Sequence, residues 1–156
     1  MLTEDARALI EIIQSLKDEG IIDPFLFNGM VQIEDHSGII CLDVMLTEYC
    51  ENANKILSLA KTQLESQDPP YTLIDNMLDK LETDSQRVAA KKVTMSITPV
   101  RLCLTGDPED LDVAKSALRT LERDFRVFEC KFRKFIELKK QVYLDMSAPS
   151  KVTARE

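Results

Sequence analysis

Apolar residues recur along this chain at steps of three and four, and where the rhythm breaks the sequence supplies Gly, Pro or a polar cluster. That pattern predicts helices joined by short connections, and strand-like alternation is scarce. A first helix opens with Thr3 as its N-cap, carries Ala6, Leu9, Ile10, Ile13 and Leu16 on one face and stops at Gly20. Asp23 and Pro24 mark a second helix: an N-cap, then a proline at the first helical position, where its missing N–H costs nothing. Its apolar run "FLFNGMVQI" ends at a polar break, "EDHSG", which places His36 in an exposed loop.

A third helix of about 25 residues carries Leu42, Met45, Tyr49, Ala53, Ile56, Ala60 and Leu64 as one stripe. "ESQDPP" ends it, since Pro69 and Pro70 cannot continue a helix. The fourth begins near Thr72 and sorts its residues cleanly. Ile74, Met77, Leu78, Leu81, Ser85 and Val88 fall on one side, and Asn76, Asp79, Glu82, Thr83 and Gln86 on the other, towards solvent. The fifth, "AAKKVTMSITPVRLCL", contains Pro99, which predicts a kink or a premature end. The sixth has Asp107 as N-cap and Pro108 after it, then Leu111, Ala114, Leu118, Leu121, Phe125, Phe128, Phe132, Phe135 and Val142 in register. At roughly 35 residues it would run about 50 Å.

Short connections between the later helices imply antiparallel neighbours. The expected fold is all-α, an antiparallel four-helix bundle with two additional N-terminal helices beside it. Residues 1–144 form one domain in this reading, and residues 145–156 lack periodicity and are expected to be a disordered tail.

Composition narrows the function more by exclusion than by assertion. A net charge of -7 disfavours nucleic acid as a partner, because phosphate backbones demand clustered Lys and Arg. No apolar run reaches the roughly 18 to 20 residues that span a bilayer, and the acidic start "MLTEDARALIEIIQ" is unlike a signal peptide, so an intracellular protein is expected. The four cysteines, Cys41, Cys50, Cys103 and Cys130, form no Cys-x-x-Cys pair and do not combine with His36, the single histidine, at zinc-site spacing. They read as reduced, small hydrophobes, and neither metal nor cofactor is expected. The cations of "FRVFECKFRKFIELKK" read as a solvated helix face whose phenylalanines belong to the core.

Several phrases nevertheless resemble those of the plant histidine-containing phosphotransfer (HPt) proteins. "EGIIDPFLF" looks like that family's "EGxLDxQFxxL" opening, "VMLTEYCENANKIL" is similar to its third helix, and "FRVFECKFRKFIELKKQV" resembles its closing helix. The likeness covers about residues 10 to 142. It implies the four-helix bundle of HPt type, receiver domains of hybrid histidine kinases and response regulators as partners, a monomer, and a place in cytoplasm and nucleus.

The family's signature is H-Q-L-K-G-S-S. Aligned without gaps through "VAAKKV", its phosphorylated histidine falls on Asp79, its glutamine on Lys80 and its leucine on Leu81, while its lysine falls on Glu82, its glycine on Thr83 and its serines on Asp84 and Ser85. The nucleophile, the cation that steadies the transferring phosphoryl group and the gap for close approach are therefore all replaced. Asp79 and Glu82, at i and i+3, would repel an incoming phosphoryl group and each other. The resemblance thus implies a pseudo-phosphotransfer protein, not an enzyme, that docks on receivers through Asn76, Asp79, Lys80, Glu82, Thr83 and Gln86 and dampens cytokinin signalling. An acidic receiver pocket would repel Asp79 and Glu82 unless Mg²⁺ lay between, with Asp79 as a ligand. The alternatives are a helical adaptor for an unrelated partner and a relay through an unexpected acceptor.

Overall fold

In the computed structural model the described residues are 2–37, 42–106 and 111–146, without the side chains of 32–37. They form six helices: α1 Glu4–Asp18, α2 Pro24–Ser37, α3 Leu42–Leu64, α4 Tyr71–Arg87, α5 Lys91–Thr105 and α6 Leu111–Met146. No strand occurs among them. Four helices close a ring of contacts in which α3 meets α4 and α6, and α5 meets α4 and α6. α1 lies along α6, and α2 touches α3.

Caps explain where the first helices begin. Thr3 Oγ1 accepts from the Ala6 amide at 3.1 Å, and Asp23 Oδ1 accepts from Phe25 and Leu26 at 3.0 and 3.1 Å, as the sequence predicts. α1 closes in a Schellman turn: Gly20 at φ 68 donates to Lys17, and Ile21 donates to Leu16. α4 closes in the same way on Ala89 at φ 60, with Ala89 donating to Gln86 and Ala90 to Ser85. The two turns are tied together, since Asp23 donates to the Ala89 carbonyl at 2.9 Å and Lys92 to that of Ile21 at 3.3 Å. This tie sets the start of α2 against the α4–α5 turn.

The core is aliphatic around α4 and α5 and aromatic along α6. Phe125, Phe128, Phe132 and Phe135 are buried in the predicted register. Phe27 reaches in from α2 to meet Phe132 and Phe135 edge-on, with centroids 6.1 and 5.5 Å away. Tyr49 from α3 does the same against Phe125 and Phe128. Its hydroxyl ends 2.7 Å from the Ser85 hydroxyl, so these two buried hydroxyls satisfy each other.

Several expectations need correcting. The "EDHSG" stretch does not break the chain where expected, because α2 keeps helical backbone through His36 to Ser37: polar composition alone does not end a helix, and glycine arrives only at position 38. The His36 side chain lies outside the described residues. Pro99 does not end α5, which continues to Thr105 with the proline on its exposed side, where the ring meets solvent. Ile10 is exposed, not core, because α1 faces essentially one neighbour and Leu9, Ile12, Ile13 and Leu16 already cover that contact. Cys130 is exposed rather than a core hydrophobe, whereas Cys50 is buried. α6 runs to Met146, past the expected boundary at 144. Cys41, Asp107, Pro108 and the tail from 147 to 156 lie outside the described residues.

Candidate functional site

The outer face of α4 follows from its inner one. With Ile74, Leu78, Leu81 and Ser85 turned to the core, the helix period forces Asn76, Asp79, Lys80, Thr83 and Gln86 outwards, and all five are exposed. Glu82 is only half-exposed. The Thr83 hydroxyl donates back to the Asp79 carbonyl at 3.2 Å.

The feature absent from the sequence reading is Arg101 on α5. Its Nε donates to Asp75 Oδ1 at 2.9 Å and its Nη2 to Asp75 Oδ2 at 3.4 Å. Its Nη1 donates to Asp79 Oδ1 at 3.0 Å and to Glu82 Oε2 at 2.7 Å. The two acids expected to repel each other therefore share one cation. The Asp75 hydrogen bonds, reinforced by its charge and by Glu82 and Asp79, push the Arg101 guanidinium above its ordinary value, so it stays charged throughout the accessible pH range. Among the described residues no group of three or more His, Cys, Asp or Glu side chains is arranged to hold a metal ion. Here the acids converge on a guanidinium.

Apolar residues border this charged centre. Leu102 is 66% exposed and lies with Thr98 and Thr105 in the groove that also holds Asp75, Glu82 and Arg101. A second groove of about 420 Å³ is lined by Leu26, Gln86, Ala89, Lys91 and Met95, among others, so it joins α2, α4 and α5 at the tied turns. Met95 is 63% exposed, and Phe25, next to Leu26 in the sequence, is 85% exposed. The sequence-predicted residues thus share one face, and the structure widens it to α5 and the start of α2. Met95 and Leu102 were legible as apolar residues off the α5 core stripe. Arg101 was not, since nothing local pairs it with α4.

No protein-family profile matches the chain. Histidine-containing phosphotransfer protein 2 of Oryza sativa subsp. japonica is 24% identical over 136 residues, covering 86% of this chain and 89% of the relative. The crystal structure of a histidine-containing phosphotransfer protein from maize superposes with a TM-score of 0.83 at 20% identity, over 88% of this chain and 99% of that one. One from Medicago truncatula gives a TM-score of 0.81 at 16% identity, over 92% and 96%. The chain therefore has the all-helical fold of the histidine-containing phosphotransfer proteins. Its sequence is similar to theirs along most of its length.

Proposed function

We propose that this chain is a pseudo-phosphotransfer protein of a two-component phosphorelay. It adopts the antiparallel four-helix bundle of HPt type, with α1 and α2 added, and docks onto receiver domains of hybrid histidine kinases and response regulators. It takes no phosphate from them and acts as a negative modulator, of cytokinin signalling on the family resemblance, in cytoplasm and nucleus. No helix among the described residues is long and apolar enough to cross a membrane.

One observation carries the reading: the exposed face of α4 offers Asp79, held by Arg101, and the chain's single histidine is on α2. A carboxylate already paired to a guanidinium is a poor nucleophile towards an aspartyl phosphate. The apolar rim of Leu26, Met95 and Leu102 supplies the desolvated contact that protein docking needs.

The test has two arms. Incubation with a receiver labelled at its aspartyl phosphate leaves this chain unlabelled, assayed for both acid-labile and base-labile phosphate; label on the chain would make it a relay. Calorimetry with the same receiver shows micromolar binding that an Asn76→Arg, Thr83→Arg double variant abolishes. Binding that survives both substitutions would remove α4 from the contact, and no binding to a panel of receivers would favour the adaptor.

A further inference from the structure

We propose that this face selects its partner by a cation: a Lys or Arg side chain of the docking protein pairs with Asp79 and Glu82 while apolar side chains beside it cover Leu102 and Met95. The inference rests on the receiver-docking reading above and narrows it to receivers that carry a basic residue where they meet α4.

Three carboxylates around one guanidinium leave two negative charges in excess here. Asp75 is the well-compensated acid: it grips Arg101 Nε and Nη2 with both its oxygens, and its side chain is 18% exposed. Glu82 and Asp79 share the remaining Nη1 through one oxygen each, at 2.7 and 3.0 Å. Their second oxygens, Glu82 Oε1 and Asp79 Oδ2, accept from no side chain among the described residues, and Asp79 is 64% exposed. The helix period brings no further cation. Positions three and four residues either side of Asp79 hold Asp75, Asn76, Glu82 and Thr83, and those around Glu82 hold Leu78, Asp79, Ser85 and Gln86. The excess is left for a partner to neutralise, and its complement is positive.

The apolar residues make that pairing count. Leu102 shares a groove with Asp75, Glu82 and Arg101, and Met95 stands two turns before it on the same side of α5, about 10 Å away along the axis. Both are largely exposed. A partner that covers them also takes water from the carboxylates, and a charge pair strengthens as the local dielectric falls. A purely apolar surface in the same place would bury the excess charge unpaired, which opposes docking. Lys91, exposed at the Met95 end, carries the opposite sign, so the face is polar along its length and sets the direction in which a partner lies.

The experiment is a calorimetric titration of purified receiver domains with wild type, Asp79→Asn, Glu82→Gln, the double variant and Met95→Arg, with and without EDTA and at low and high salt. Each single acid-to-amide change should weaken binding several-fold and the pair about tenfold or more, with a shallower salt dependence than wild type. Thermal melts show that the variants fold, and the single variants decide the matter if the double one does not. Unchanged or tighter binding by the acid-to-amide variants, with Met95→Arg abolishing it, would overturn the cation contact while the docking reading stands. Binding that EDTA abolishes would assign the excess charge to a divalent ion and overturn it too. No binding by wild type to any receiver overturns the docking reading and this proposal with it.

Discussion

The hydroxyl pair of Tyr49 and Ser85 joins α3 to α4 directly behind the proposed docking face. Because Ser85 is fully buried, Ser85→Ala strands the tyrosine hydroxyl and is expected to cost about 1 to 3 kcal/mol, read from urea unfolding. Burial also lifts Tyr49 well above the ordinary tyrosine range. A second residue-scale prediction concerns Glu19, whose carboxyl is held below its usual value by hydrogen bonds from Lys131 and Ser15. A depressed carboxylate contributes stability above its unfolded pKa, near 4.5, and loses it as pH falls through the lower folded value. Glu19→Gln should therefore melt below wild type at pH 7, with the gap closing in acid as the carboxyl takes up its proton. Neither Glu19 with Lys131 nor Arg101 with its acids was readable in the sequence, because each pairing joins helices that only the packing brings together.

At the scale of the helix, local chemistry was legible wherever a residue acts on its own backbone. Thr3 and Asp23 cap as their types and positions imply, and the inward faces of α4 and α6 follow their three-and-four spacing. It failed where the neighbourhood decides, as with the exposed Ile10 and with Pro99, which α5 absorbs on its outer side. The α4 end shows both aspects. A left-handed turn that ordinarily takes glycine is made here by Ala89, at φ 60, in a chain that uses Gly20 for the equivalent turn after α1. Ala89→Val, adding a β-branched side chain in that conformation and in a buried place, should cost at least about 2 kcal/mol in chemical denaturation. Ala89→Gly should lie within about 1 kcal/mol of wild type, since relief of strain is offset by greater unfolded-state freedom. A large loss with glycine would show that the buried methyl matters more than the turn.

At the scale of the molecule, the ring of α3 to α6 and the phenylalanine stack make one core, and Phe132 stands at its crossing point with contacts to Phe27, Phe128 and Phe135. Phe132→Ala is expected to cost about 3 to 5 kcal/mol. Thiol chemistry gives an independent reading of the same packing: Cys130 is exposed, whereas burial pushes the Cys50 thiol up to about 11. A thiol reagent at pH 7.5 should modify Cys130 in the native state and Cys50 only as the core opens.

The hydrogen bonds that tie Asp23 and Ile21 to Ala89 and Lys92 also have a meaning in time. They close a loop of about 70 residues, and α1 finds its neighbour in α6, the sixth helix to be synthesised. On the ribosome α1 and α2 are therefore made early but locked late. Until α6 emerges, Leu9, Ile12, Ile13 and Leu16 lack the helix they chiefly pack along, so this apolar strip stays open on the nascent chain.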